Sequence, residues 1–249
     1  MADRGPGLSD FFGELYLRST LPFLAGDVTD REVEYLRQAF SDLRVPGPIA
    51  DLGCGHGRHA SQLAGTLGGR FLFGADLDPV SLAERDAGFD AVRADLFRLP
   101  LADRRLAGAY AWYSTLFVFE DADIERLLKR VAAVLKPAGM LVFHTVPYEH
   151  VASLPVAGFD GPLPDGSHLV EKASFDPATG RDNAYRELTR PDGTVLSGHF
   201  FIRYYPRPEM ARLVEGAGFK VKWMHGGLDG GPVSAASTDL IVGLERTHA

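Results

Sequence analysis

The fold of this chain is decided by the stretch Asp51-Leu52-Gly53-Cys54-Gly55-His56-Gly57-Arg58. An apolar run precedes it and a helical pattern follows it, so the glycines lie at a strand-to-helix turn. Glycine has no Cβ, which lets such a turn bend tightly and approach a ligand closely. The acid two residues before Gly53 places a negative charge beside the turn, where it attracts a cationic group.

Acidic residues also follow the next two predicted strands. Asp76 ends an apolar run over residues 70–75, and Asp95 follows a shorter run that begins at Ala91. In an open parallel sheet, ligands bind beyond the carboxyl ends of the strands. Acids at three such ends therefore predict one shared cleft. A buried fourth strand is predicted over residues 107–114.

The pattern Asp-x-Gly-x-Gly-x-Gly from Asp51, together with Asp76 and Asp95, resembles the class I S-adenosylmethionine-dependent methyltransferases over about residues 45–147. This resemblance implies an α/β fold: a seven-stranded, mostly parallel Rossmann-like sheet with helices on both faces. It also implies S-adenosylmethionine as cofactor, S-adenosylhomocysteine as product, and a small molecule, such as a natural product, as methyl acceptor.

The resemblance implies roles for individual residues as well. It assigns the ribose hydroxyls to Asp76, the adenine amino group to Asp95 and a ring nitrogen to the amide of Leu96. It further implies that Tyr16 and Arg18 cover the methionine end of the cofactor. Core packing for Tyr16 and a solvated helix face for Arg18 are the alternatives. The other implied cofactor contacts are Asp51, Gly53, Cys54, Gly55, His56, Leu77 and Tyr113.

The segments around this core are predicted from periodicity and turn residues, within a single methyltransferase domain. Residues 1–44 form an N-terminal helical cap, with one helix starting near Leu8 and Ser9 and a second capped by Asp30. Residues 45–147 form the cofactor-binding core, with the fifth strand over residues 140–145. Residues 148–205 combine a loop with an antiparallel insertion of three strands after the fifth strand. Residues 206–249 supply a last helix and two strands.

Catalytic residues follow less directly from the sequence. A sulfonium methyl group is already activated, so transfer chiefly requires alignment and exclusion of water. His144 at the end of the fifth strand is a candidate base, His199 in the insertion is a second, and Tyr113 could orient the acceptor. A lone histidine often has only a structural role. His56 and His59 lack further metal-ligand partners, so we expect no metal.

Composition limits the partners and the compartment. The net charge is −7 and no basic run occurs, which argues against a nucleic-acid partner. No apolar run approaches membrane-spanning length. Cys54 is the only cysteine, and the first residues lack the apolar core of a secretion signal, so we expect a cytoplasmic protein. In the methyltransferases that the chain resembles, an insertion of this kind helps to form substrate pockets or dimer contacts, so the resemblance leaves a homodimer open.

Other functions remain open from the sequence. A nicotinamide-dependent oxidoreductase can share this sheet, although Arg58 stands where its Gly-x-Gly-x-x-Gly pattern needs a third glycine. A non-catalytic S-adenosylmethionine-binding subunit and a macromolecular methyltransferase are further alternatives. The sequence does not choose between oxygen and nitrogen as the methylated atom.

Overall fold

A computed structural model describes residues 11–24, 26–154 and 156–247. The predicted helix start at Leu8 and Ser9 lies outside these residues. In the described part of the chain, no helix combines the length and the apolar character needed to cross a membrane.

A seven-stranded sheet forms the centre of the molecule. Its spatial order is β10-β11-β5-β4-β1-β2-β3. Strands β1 to β5 run parallel, and β11 lies antiparallel between β5 and β10. The strands are β1 (Ile49–Leu52), β2 (Leu72–Asp76), β3 (Asp90–Arg93), β4 (Leu106–Ala111), β5 (Leu135–Thr145), β10 (Phe219–His225) and β11 (Leu240–Arg246). The predicted fold class is confirmed.

Helices cover both faces of this sheet, so β1, β4 and the second half of β5 are buried on both sides. One apolar cluster includes α5 and α7, and the other includes α2 and α3. The helices are α1 (Glu14–Thr20), α2 (Gly26–Ser41), α3 (Arg58–Leu63), α4 (Pro79–Ala83), α5 (Asp121–Val134), α6 (Tyr148–Ser153) and α7 (Arg207–Gly216).

The insertion after β5 has four antiparallel strands, not the three predicted from the sequence. They are β6 (Val156–Pro162), β7 (His168–Asp176), β8 (Arg181–Thr189) and β9 (Val195–Arg203), in that spatial order. The prediction missed β6 because it is an exposed edge strand whose only buried residue is Gly161. Its sequence therefore shows no alternation of apolar and polar residues.

Three boundaries also differ from the sequence-based expectation. Helix α2 begins at Gly26, so Asp30 lies inside it and does not cap it. Strand β4 stops at Ala111 because Tyr113 and Ser114 take left-handed conformations, with φ of 50° and 57°. Strand β5 begins at Leu135 and not at the predicted residue 140, and it contains an irregular segment in which Ala138 has a φ of 60°.

Candidate active site

The glycine turn between β1 and α3 lies at the carboxyl ends of the parallel strands, where such a sheet binds ligands. We call the region over this turn the crevice. Gly53, Gly55 and Gly57 all have positive φ, of 74°, 55° and 87°. A Cβ at Gly53 would lie 2.3 Å from Thr115 Cγ2, and a Cβ at Gly57 would lie 2.1 Å from the Phe89 ring. A Cβ at Gly55 would meet nothing within 4 Å. The first and third glycines thus allow close packing, and the second faces open space.

Asp76 lies at the carboxyl end of β2 and fixes the turn. Its Oδ2 accepts a hydrogen bond from the Gly55 amide at 2.7 Å, and its Oδ1 accepts one from the Asp78 amide at 2.8 Å. Burial raises the pKa of the Asp76 carboxyl. The backbone amides of Gly55, Asp78 and Leu77 oppose this rise. A carboxylate has about four acceptor positions, so these amides do not use all of them. Leu77 is exposed beside it, and Asp78 caps α4 by accepting from two amides of that helix.

Asp95 lies two residues beyond β3, near the same edge of the sheet. Its carboxylate accepts a hydrogen bond from the Phe97 amide at 3.0 Å and begins a short 3₁₀ turn, Leu96–Arg98. The side chain of Leu96 is buried. The backbone of Ala94 donates to the carbonyl oxygen of Asp76 at 2.7 Å, which holds this segment against the end of β2.

Asp51 is the buried acid of the group, with 3% of its surface exposed. It accepts a hydrogen bond from the Tyr110 hydroxyl at 2.9 Å. Burial raises the pKa of Asp51 to about 7; the Tyr110 hydrogen bond opposes this rise, and the negative charge of Asp76 adds to it. The structure therefore brings Asp51 and Asp76 within electrostatic reach of each other. Asp51 is close to half-protonated at neutral pH.

Two other predicted residues of the turn, Cys54 and His56, are buried or partly buried. Cys54 is buried, and burial raises the pKa of its thiol, so the sulfur is a packed group here. His56 is partly buried, and that burial lowers the pKa of its imidazole. Among the residues described, no group of three or more metal-ligating side chains occurs.

A buried carboxylate that the sequence analysis missed, Glu32, organises the crevice wall. Its Oε2 accepts from Arg58 Nη1 at 2.5 Å and from His59 Nε2 at 3.0 Å. Its Oε1 accepts from Trp112 Nε1 at 3.0 Å and from the Tyr113 hydroxyl at 2.8 Å. Although burial acts to raise the pKa of Glu32, the hydrogen bonds from His59 and Arg58 outweigh it and lower that pKa to about 2. One carboxylate thus joins α2, α3 and the end of β4.

A sequence signal for Glu32 did exist. It lies one helical turn before Tyr35 and Leu36, in the buried stripe of α2. An acid inside an apolar stripe needs buried donors, which indicates a paired carboxylate. His59, considered from the sequence only as a metal ligand, is one of those donors. Burial lowers the pKa of His59 to about 4, so it is neutral at pH 7.

Tyr113 and His144, two of the predicted catalytic residues, lie together at the ends of β4 and β5. Their ring centroids are 5.3 Å apart in an edge-to-face arrangement, and the His144 ring stacks on Trp112 at 5.0 Å. His144 Nε2 donates to Asp239 Oδ1 at 2.9 Å, and its Nδ1 is buried without a hydrogen-bond partner among the described residues. The hydrogen bond from His144 lowers the pKa of Asp239. Nothing in the sequence around Asp239 indicated this pairing.

The two N-terminal residues differ in position. Tyr16 on α1 lies between the insertion and the crevice: burial raises the pKa of its phenol, and the charges of Arg186, Arg58 and Asp76 act on it. Arg18 forms an ion pair with Glu84 at the end of α4. It therefore ties α1 to α4.

His199 is not brought to this group. It is exposed on β9 and packs against Tyr185, with ring centroids 4.7 Å apart. Its neighbour Phe200 points to the opposite face, where it stacks on Phe11 at 3.7 Å. His199 thus lies on the outer face of the insertion, away from Tyr113 and His144.

Comparisons with known proteins agree with this geometry. Residues 49–139 match the family model of a methyltransferase domain. No curated protein matches the sequence significantly. The fold resembles that of the CcbJ methyltransferase from Streptomyces caelestis, with a TM-score of 0.73 and 19% identity over 88% of this chain and 89% of that one.

Two further solved structures share the fold. A methyltransferase from Clostridium acetobutylicum gives a TM-score of 0.75 at 13% identity, covering 88% of this chain and 92% of that one. The sugar N-methyltransferase KedS8 from Streptoalloteichus gives 0.67 at 17% identity, covering 100% and 96%. Residues 49–139 thus match a methyltransferase domain, and the likeness to these solved structures shows that the chain shares their fold.

Proposed function

We propose that this protein transfers the methyl group of S-adenosylmethionine to a nitrogen or oxygen atom of a small molecule. One observation carries the proposal: the open space over Gly55 lies beside the Asp76 carboxylate, which accepts from the Gly55 amide, and the charges of Asp76 and Arg58 both act on the buried Asp51. A nucleoside with a positively charged sulfur and an amino-acid end has groups that complement each of these. The acidic net charge also favours a small acceptor over a nucleic acid.

The residues fit the cofactor from one end to the other. Asp76 keeps acceptor capacity for a ribose hydroxyl, and Asp95 and Leu96 lie beside it for the adenine ring. The proposed cofactor supplies an electrophilic methyl group on a positively charged sulfur. Asp51 stabilises positive charge at the other end of the crevice, and Tyr16 covers it from α1.

His144 is the proposed base, and Asp239 is its positioning residue. Asp239 accepts a hydrogen bond from the Nε2–H group of His144, so the neutral imidazole carries its lone pair on Nδ1, which has no partner among the described residues. Nδ1 takes the proton that the acceptor atom loses. In this structure the Tyr113 ring lies against His144, and Tyr113 is 36% exposed. We therefore expect acceptor binding to move Tyr113 aside and uncover Nδ1.

An amine is the acceptor that the surroundings of this base favour. Asp182 on β8 is a half-buried carboxylate that forms no hydrogen bond with another described residue. Burial and the charge of Asp182 raise the pKa of Tyr204, whose hydroxyl is hydrogen-bonded to Ser114 beside Tyr113. Asp182 thus lies within electrostatic reach of Tyr204, and a carboxylate without a partner there would attract an ammonium group. CalS10 from Micromonospora echinaspora, an amino pentose methyltransferase, shares the fold with a TM-score of 0.63 at 17% identity.

A methyl-transfer assay tests this function. The protein is incubated with S-adenosylmethionine carrying a labelled methyl group and with matched pairs of small acceptors that differ only in an amino or a hydroxyl group. We expect label in the amine products and formation of S-adenosylhomocysteine. Binding of S-adenosylmethionine without transfer to any acceptor would favour the non-catalytic alternative. Binding of a nicotinamide cofactor instead would favour the oxidoreductase.

Two finer expectations also belong to this proposal. The exposed edge strand β6 carries Val156, which is 79% exposed, and Phe159, which contacts the exposed Phe23. These apolar residues support a homodimer, which light scattering after gel filtration would detect. The single buried cysteine, Cys54, supports residence in the reducing cytoplasm, which fractionation of cells would test.

A further inference from the structure

Arg58 is a buried cation with one nitrogen left unpaired. Its side chain is 11% exposed. Nη1 donates to Glu32 Oε2 at 2.5 Å and to Thr29 Oγ1 at 2.8 Å. Nη2 is buried and has no partner among the described residues. A buried donor on a charged group is costly to leave unsatisfied, so this nitrogen indicates a missing acceptor.

The guanidinium is held so that Nη2 keeps a fixed direction. Glu32 and Thr29 hold one nitrogen, and the Tyr113 ring lies beside the group, with its centroid 5.0 Å from Cζ. Both oxygens of Glu32 already accept two donors each. Glu32 therefore positions Arg58 and leaves Nη2 for a ligand. A planar guanidinium held in this way suits a carboxylate.

The neighbours of Arg58 specify the ligand. Arg58 is the first residue of α3, directly after Gly57 of the glycine turn, and its charge acts on Asp51 and on Tyr16. A group that binds there has a negative part for Arg58 and a positive part for the carboxylate of Asp51. The amino-acid end of the cofactor, with one carboxylate and one ammonium group, has both.

We propose that Arg58 Nη2 binds the carboxylate of the methionine moiety of the cofactor, and that Glu32 positions Arg58 for this contact. The inference rests on the proposed function, because it assumes that S-adenosylmethionine occupies the crevice. It adds a contact to those that the resemblance implies for Tyr16 and Arg18; the charge of Arg18 is paired with Glu84. The carboxylate is thus bound by the first residue of α3.

Calorimetric titration with two ligands tests the contact. S-adenosylhomocysteine carries the amino-acid end, whereas 5′-methylthioadenosine keeps the adenosine and the thioether and lacks the carboxylate. For Arg58→Met, we expect the affinity for S-adenosylhomocysteine to fall by about 10- to 100-fold and that for 5′-methylthioadenosine to change by less than about threefold. Arg58→Lys keeps the charge and loses the fork, so it should fall between the wild type and Arg58→Met.

Controls keep the result interpretable. Arg31→Met removes an exposed arginine from α2, and both affinities should stay at the wild-type value. Thermal unfolding of each variant shows whether it is folded. If Arg58→Met is not folded, the two affinities are compared between Arg58→Lys and the wild type. The inference would be overturned if Arg58→Met and Arg58→Lys each reduced the affinities for both ligands equally, or reduced neither affinity. An effect confined to the KM of the acceptor would also overturn it. A wild-type protein that binds neither ligand would instead overturn the proposed function itself.

Discussion

Replacement of Glu32 by glutamine tests the hydrogen-bond network behind the crevice. Glutamine keeps the shape of the side chain, but it carries no charge and offers one acceptor oxygen in place of two. Four donors from Arg58, His59, Trp112 and Tyr113 meet at Glu32 in the wild type. The variant leaves the charge of Arg58 buried without its partner, which is strongly unfavourable.

The pKa of Glu32 gives the magnitude. It falls from 4.5 to about 2 in the folded protein, and each unit corresponds to about 1.4 kcal/mol, so the charged form contributes about 3 kcal/mol. Because the folded pKa is lowered, this stability is present above the unfolded pKa of 4.5 and is lost as the pH falls towards 2. For a chain of this size, about 3 kcal/mol corresponds to a decrease in Tm of about 6–12 °C.

The assay is urea and thermal unfolding of the wild type and of two glutamine variants. Glu34 on the same helix provides a matched control, because its pKa is also lowered to about 2 but by exposed hydrogen bonds from Arg37 and Gln38. Solvent screens such contacts, so Glu34→Gln should change the stability little. A Glu32→Gln protein as stable as the wild type at pH 7, or a Glu34→Gln protein equally destabilised, would refute the reasoning.

Three further predictions concern the crevice itself. Asp76→Ala should weaken binding of S-adenosylhomocysteine by about 1–3 kcal/mol, since ribose hydroxyls lose their acceptor; unchanged affinity in a calorimetric titration would remove that assignment. His144→Ala and Asp239→Asn should both reduce turnover in the labelled-methyl assay and leave the affinity for S-adenosylhomocysteine intact. The residual activity of Asp239→Asn should depend on pH with a shifted profile, because this variant still has the base, whereas that of His144→Ala should not; unaltered turnover in either variant would argue against the base. The pKa of Asp51 is raised to about 7 in the folded protein. The contribution of Asp51 to the free energy of unfolding is therefore fully present below its unfolded pKa of about 4 and is lost as the pH rises through about 7. Over the same titration, between about pH 6 and pH 8, the affinity for the cationic cofactor should increase. Asp51→Asn should abolish both dependences, and a variant that retained them would assign the titration to another group.

The sequence predicted the features that depend on local patterns. A glycine turn, a run of apolar residues and the acid after it are each encoded within a few neighbouring positions. Parallel strands then bring their carboxyl ends to one edge without any further information. This is why Asp51, Asp76 and Asp95 could be placed at one edge of the sheet from the sequence.

The remaining features depend on contacts between distant parts of the chain. Glu32 meets donors that lie 26 to 81 residues away along the chain, and Asp239 meets His144 at a separation of 95 residues. Periodicity describes which face of one helix is apolar, and it does not say which buried donors will face an acid there. Strand β6 escaped prediction for a different reason, since an exposed edge strand needs no apolar alternation.

A crystal structure of the protein with S-adenosylhomocysteine is the most direct test of the cofactor site. The account predicts the ribose hydroxyls within hydrogen-bond distance of Asp76, the adenine beside Asp95, and the carboxylate of the ligand against Arg58. Density for the nucleoside at any other place on the molecule, with the space over Gly55 left empty, would contradict it.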